Sequence, residues 1–370
     1  MTDMIDHQKI TSEIYSLTGI RAAAALWVVA FHLQARFDEA YPSLGRLIGP
    51  IVSHGYLGVD LFFILSGFVI HYNYADRLSK FSFPAYLEFL WLRLARLWPV
   101  HGVVLGLFAL LLWVQHLTGK SSGKPELYTA LDFVKNLFLV HGWSIPLRGS
   151  WNVAAWSISC EWLAYIFFPL LIISRSPVAR PIRALVVAAA GLFGTALACQ
   201  CLRADGGIIY GVVRIAGEFI AGCGLCHIFC SGVARNLPWR QIVPVTIIAV
   251  LVSTHFVLPA LGLVSYWSVP LLGVMVLGLA HQQCMVSRWC SCKAMLFGGY
   301  ISYSIYMVHE LCLIVLKNAP LHISKGFALV VDMAAIITVS ILMYYLVEEP
   351  CRKAMRRIYP WHKLRRVPGV

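Results

Sequence analysis

Charge is scarce in this chain: only 13% of its 370 residues are charged, against 59% hydrophobic. That balance excludes an ordinary soluble domain. Acids are scarcer still, 17 against 30 Lys and Arg, for a net charge of +13. The basic excess carries no basic stripe with interleaved aromatics, so it points to membrane topology and anionic headgroups rather than nucleic acid. An even cysteine set is missing too. Eleven cysteines, most of them within apolar runs or in loops expected on the cytoplasmic side, do not make a disulfide framework. Cys223, Cys226, His227 and Cys230 share helix faces, but their spacing falls short of a metal site. Packing beside Gly222 and Gly224 accounts for them, and no metal is expected. Residues 1–17 lack the basic start of a cleaved signal peptide, so the first apolar run reads as a retained span. Repeats, low-complexity tracts and a second soluble domain are lacking, and the longest loop is about 118–152.

What is present is a series of apolar runs, each able to cross about 30 Å of hydrocarbon as a helix. They fall near 18–36, 56–74, 98–117, 153–173, 183–201, 208–230, 240–257, 262–281, 296–317 and 326–347. The expected fold is therefore all-α and integral to a membrane, a bundle of about ten transmembrane helices. Leu131 to Val140 is too short to cross and is expected to lie at the interface or re-enter. An even number of spans puts both termini on one side. The tail bears Arg352, Lys353, Arg356, Arg357, Lys363, Arg365 and Arg366, and the positive-inside rule makes that side the cytoplasm. Arg77, Lys80, Arg93 and Arg96 fall on it, as do Arg175, Arg180, Arg183, Arg235, Arg240, Arg288 and Lys293.

Within the first span Arg21 and His32 are eleven residues apart. Eleven steps of about 100° are three turns plus roughly 20°, so both share a helix face about 16 Å apart along the axis. Ionisable groups inside a membrane mark pathways or active sites. Counting inward from the far side at about 1.5 Å per residue, His32, Asp60, Arg214, Glu161, His309 and Glu218 reach one broad layer. A shared polar chamber is expected there, with His32 and Glu161 in contact. Arg214 and Glu218, one turn apart, read as a structural pair. At the cytoplasmic edge Arg93 and Arg96 are three residues apart, at the height of Arg21. Three guanidiniums there could clamp phosphates in bidentate fashion, although positive-inside anchoring with an aromatic belt would explain Arg93 and Arg96 alone.

Seven segments, in order, resemble the membrane acyltransferase-3 family of bacterial O-acyltransferases acting on sugars: GIRAAAALWVVAFH (Gly19 to His32), GVDLFFILSGFVI (Gly58 to Ile70), RLARLWP (Arg93 to Pro99), WSISCE (Trp156 to Glu161), RIAGEF (Arg214 to Phe219), YISYSIYMVH (Tyr300 to His309) and the run Val347, Glu348, Glu349, Pro350. The resemblance implies an acyltransferase-like transmembrane domain over 1–350, with 351–370 a basic cytoplasmic tail. It also implies transfer of an acyl group, usually acetyl, from cytoplasmic acyl-CoA to a hydroxyl of a glycan or lipid-linked glycan across the bacterial inner membrane. Acetyl-CoA is then a donor substrate, with no permanently bound cofactor. By motif, His32 is the essential histidine, Arg21 its arginine partner, and Arg93 with Arg96 the second basic motif. The chain departs at CEWLAY, where Trp162 and Leu163 replace an acid and a glutamine, which bears on acceptor identity. The hydrolase-like domain that some members append is not expected.

Acyl transfer to a sugar hydroxyl needs a base, and imidazole titrates near neutral pH. His32 is the first candidate, with Glu161 to orient it and His309 as rival base. Trp156, Ser157, Ser159 and Tyr303 are candidate donors to the thioester oxygen. Ser66 is a candidate carrier of a transient acyl group, and Asp60 completes the set. Other classes remain open at this stage: a transporter with an intramembrane relay, which the absence of an inverted repeat disfavours, or a glycan-binding subunit without chemistry.

Overall fold

The computed structural model describes residues 13–119, 125–144, 149–173, 181–202, 210–317 and 323–358. Among them every regular element is helical. Nine helical stretches are long and apolar enough to cross a membrane. The eighth expected span, 262–281, is shorter: a tight turn at Ser265–Ser268 leads into α10, Val269–Ala280, and together they make an apolar helix of 16 residues. At 1.5 Å per residue that is about 24 Å, less than a hydrocarbon core. Arg175, Arg180, Lys363, Arg365 and Arg366 lie outside the described residues, so part of the topology argument does too.

The chain begins with α1 (Tyr15–Ala40), in which the run Ala22–Ala25 supplies strong helix formers. A short helix that hydropathy did not separate, α2 (Pro42–Val52), leads into α3 (Leu57–Leu78). Next comes α4 (Phe83–Leu117), 35 residues with Pro99 inside it. At about 52 Å it outreaches the bilayer core, so Arg93 and Arg96 sit inside a helix that starts 15 residues before the expected span at 98. The short α5 (Ala130–Leu137) occupies the stretch expected at the interface. The bundle continues with α6 (Trp156–Ile173), α7 (Pro181–Cys201), α8 (Gly211–Ser231) and α9 (Trp239–Val252), then α10, the brief α11 (Met285–Cys290) and α12 (Lys293–Lys317). Last, α13 (Lys325–Met343) runs through a widened turn at Tyr344–Glu348 into α14 (Glu349–Ile358). The basic residues Arg352 to Arg357 thus ride on a helix continuous with the last span.

Two crossings set the site. Where α3 meets α8, a Cβ on Gly67 would lie 2.0 Å from Phe219 O, and one on Gly222 would lie 2.2 Å from Ile64 O. Only glycine permits that approach. Where α1 meets α12, a Cβ on Gly299 would lie 2.1 Å from Thr18 O, beside the small buried Ala22. The second crossing brings α1 against α12, so that Arg21 lines a cleft with Tyr303 and Tyr306 and His32 meets His309. Large apolar side chains of α7 and α9, among them Leu185, Phe193, Val245 and Ile248, remain exposed, as expected of lipid-facing surfaces. Cys223 packs with its Sγ 3.5 Å from Gly67 O, a helix-packing thiol.

Candidate active site

A narrow internal cleft lies between α1, α3, α6 and α12. Arg21 lines it with Ser66, Ser157, Glu161, Ser302, Tyr303 and Tyr306, and Phe62 and Phe63 form its apolar wall. The Arg21 guanidinium lies 5.7 Å from the Phe62 ring, and its buried Nε has no hydrogen-bond partner. A buried donor on a permanent cation is costly to leave unmet, and Arg21 is also one of the residues lining the cleft.

Glu161 sits in this cleft, and its bonds are local. Ser66 Oγ donates to Glu161 Oε1 at 2.6 Å, the Tyr165 hydroxyl donates to the same oxygen, and the two hydroxyl oxygens are 3.1 Å apart. His32 has a different neighbour. Its ring packs edge-on against His309 with centroids 4.7 Å apart. The hydrogen bonds of Glu161 thus run to Ser66 and Tyr165, and the ring contact of His32 is with His309. Depth alone placed Glu161 and His309 alike, and helix packing chose between them.

The backbone fixes the tautomer of both rings. His32 Nδ1 lies 2.9 Å from Val28 O, and His309 Nδ1 lies 2.6 Å from Tyr306 O. A carbonyl can only accept, so each Nδ1 carries the proton and each Nε2 keeps a lone pair. His309 is fully buried and its Nε2 has no partner, while His32 is exposed. The Tyr306 ring, 5.8 Å from that of His309, connects the cleft to the pair.

Of the candidate oxyanion donors, Ser157 and Tyr303 line the cleft. Ser157 Oγ donates to the Tyr306 hydroxyl at 2.8 Å, and the Tyr303 hydroxyl donates to Leu97 O. Ser159 is instead structural, donating to Leu139 O at 2.6 Å and accepting from Gly142 N at 2.9 Å. Trp156 packs on Phe63 and lies 5.1 Å from the Arg214 guanidinium. Asp60 belongs to a separate cluster. Arg214 Nε and Nη2 donate to its two oxygens at 2.9 and 2.8 Å, with Tyr266 stacked on the guanidinium at 4.9 Å and Glu218 beside them. The pair read from sequence as Arg214 with Glu218 is thus chiefly Arg214 with Asp60, because the close α3–α8 crossing brings a carboxylate nearer than the next helical turn does.

The basic group assembles as expected and gains members. Arg93 Nη2 donates to the Tyr74 hydroxyl at 2.6 Å, with the guanidinium 4.8 Å from that ring and its Nε buried without a partner. Arg96 pairs with the buried carboxylate of Glu348, which also accepts from Ser304 Oγ at 2.7 Å. Arg21, Arg93 and Arg352 all lie within electrostatic range of Arg96. Three further guanidiniums thus lie near the Arg96–Glu348 pair. Sequence reasoning had left Arg352 to the tail and given Glu348 no role. The helical continuity of α13 with α14 carries both to the site, and hydropathy gives no sign of it.

A model of the acyltransferase domain of the acyltransferase-3 family matches residues 14–347. O-acetyltransferase OatA of Staphylococcus aureus is 24% identical over 371 aligned positions, covering 91% of this chain and 57% of that protein. Peptidoglycan O-acetyltransferase OatA of Listeria monocytogenes is also 24% identical, over 377 positions, covering 91% and 56%. Acyltransferase MdmB of Streptomyces mycarofaciens is 31% identical over 174 residues, 45% of this chain and 41% of that protein. The chain therefore spans a little over half the length of the OatA proteins and less than half of MdmB. No solved structure matches it. With the family model spanning nearly the whole chain and the helices in place to carry its motifs, this multi-pass membrane protein belongs to the membrane acyltransferase-3 family.

Proposed function

We propose that the protein is an O-acetyltransferase of the bacterial inner membrane, moving acetyl from cytoplasmic acetyl-CoA to a hydroxyl of an envelope glycan. The observation that carries this reading is the alignment of three features along one helix pair. A cluster of guanidiniums lies at one end, a narrow cleft follows beside it, and two histidines with free Nε2 atoms lie about 16 Å from Arg21 along α1. CoA has the complementary shape: a multiply charged nucleotide on a thin pantetheine arm. Its phosphates suit Arg21, Arg93, Arg96 and Arg352, and the arm suits the cleft bounded by Phe62, Phe63, Tyr303 and Tyr306.

In this reading His32, the accessible member of the pair, is the general base. Its Nε2 takes the proton of the acceptor hydroxyl as that oxygen attacks the thioester carbon. The new C–O bond forms, the C–S bond breaks, and the proton passes from the imidazolium to the departing thiolate. His309 holds the His32 ring in place and meets the transient charge within the pair. Glu161 positions Ser66 and Tyr165 on the cleft wall rather than orienting the base. Both termini and the arginine cluster lie on the cytoplasmic side, as the positive-inside argument has it. The test is purified protein in detergent, given radiolabelled acetyl-CoA and peptidoglycan strands. Label should enter the strands as base-labile ester. Binding of acetyl-CoA without any transfer would reduce the protein to a donor-binding subunit.

A further inference from the structure

At the end of the bundle away from the arginine cluster, a second and wider cleft opens between α1, α12 and α13. Arg36, Glu39, Lys317, Lys325 and Asp332 line it. Its floor is built. Arg36 Nη1 donates to Asp332, whose side chain is 2% exposed, and Arg36 Nη2 donates to Leu313 O at 3.0 Å. At the rim Lys325 pairs with Glu39 at 3.3 Å, both side chains well exposed.

Its position relative to the histidines follows from helix geometry. Arg36 is one turn beyond His32 on α1, and Leu313 is one turn beyond His309 on α12. Each step is about 6 Å on the same face. The Arg36–Leu313 hydrogen bond therefore lies one turn beyond the histidine pair on the same two helices, and the cleft begins beside that pair.

The charge balance distinguishes the two ends of the molecule. Four guanidiniums gather at the far end near Glu348 and Glu161, an excess of positive charge that suits phosphates. Here three cations face two carboxylates, and both carboxylates are paired across the cleft. A near-neutral surface rich in mixed donors and acceptors matches a polyol, whose hydroxyls both donate and accept, better than a multiply charged anion. We propose that this cleft is the acceptor subsite, seating a saccharide so that one ring hydroxyl reaches His32 from the side opposite the donor. The proposal rests on the acyl-transfer reading above and adds to it the residues that hold the acceptor. Asp332 and Arg36 contact the sugar, and Lys325 and Glu39 select at the rim.

The test separates the two. Asp332→Asn removes the buried charge at constant shape. Ala328→Trp fills the cleft, which Ala328 also lines, while keeping both charges of the ion pair, so a folding defect in the first variant leaves the second to decide. Binding of uncross-linked peptidoglycan strands to donor-free protein in detergent should weaken at least tenfold in each folded variant. The acceptor KM should rise to match, while the affinity for a non-hydrolysable acetyl-CoA analogue stays at the wild-type value. Unchanged strand binding in Ala328→Trp, or an equal loss of donor and strand affinity, would overturn the subsite. Wild-type protein that binds strands through this cleft yet transfers no acetyl would leave the subsite standing and overturn the acyl-transfer reading instead.

Discussion

Replacing His32 with Ala removes the accessible imidazole of the pair, whose Nδ1 is held on Val28 O. Loss of a general base costs about 10² to 10⁴ in rate, or roughly 3–5 kcal/mol of transition-state stabilisation at 1.36 kcal/mol per decade. The pairing geometry says more. With ring centroids 4.7 Å apart, His32 and His309 should act as a unit, so the double variant should be hardly slower than His32→Ala alone. Glu161 bonds to Ser66 and Tyr165, so Glu161→Gln should lose about tenfold or less, and that loss should multiply with His32→Ala as independent effects do. The assay is initial-rate transfer of labelled acetyl under saturating donor, with folding monitored by monodisperse elution in detergent. Retention of more than a third of wild-type rate by His32→Ala would refute the base assignment. Additivity of His32 with His309, together with coupling of His32 to Glu161, would restore the dyad and refute the pair.

Arg93→Gln should weaken binding of an acetyl-CoA analogue by about 1.5–3 kcal/mol, the range for hydrogen bonds to charged groups, measured by calorimetry; Lys should restore only part because it lacks the planar fork. Arg96→Gln is a less clean probe, because it strands the buried Glu348 carboxylate and should lower stability by about 3–5 kcal/mol, seen as a fall in the detergent unfolding midpoint that Arg93→Gln does not share. Gly299→Val should destabilise by at least about 1–3 kcal/mol, since a Cβ there would lie 2.1 Å from Thr18 O; a wild-type midpoint would show that α1 and α12 do not cross so closely. His141, in the loop after α5, is stacked on His101, and burial, with that neighbour's charge next in weight, pushes its pKa down to about 3. The unfolded chain, titrating near 6.5, binds the proton first, so stability falls as pH drops from about 6.5 towards 3, and His141→Phe should flatten that slope in unfolding measured across this window.

Periodicity and hydropathy made much of this molecule legible. The Arg21–His32 face of α1 and the clustering of Arg21 with Arg93 and Arg96 follow from local spacing and from the side on which charges gather. What spacing could not supply is the position of each helix around the bundle. Glu161 and His309 have the same depth, and only the contact of α1 with α12 decides that His309 reaches His32. A trace of that contact was present in Ala22 to Ala25 and in Gly298 and Gly299, small residues that mark close helix approach. The Asp60–Arg214 pair depends in the same way on the Gly67–Gly222 crossing. Glu348 and Arg352 enter the arginine cluster because the last span continues as helix past Pro350, where hydropathy ends. The Arg36–Asp332 floor joins residues 296 positions apart, a separation over which no local pattern operates.

The central claim is that acetyl passes from a donor on one face to an acceptor on the other, through the cleft between Arg21 and the histidine pair. It is tested most directly in proteoliposomes of defined orientation, with labelled acetyl-CoA supplied only on the face bearing the arginine cluster and peptidoglycan strands only on the opposite face. The account predicts labelled strands, with none formed when donor and acceptor are exchanged and none with His32→Ala. Labelling that requires donor and acceptor on the same face would contradict it.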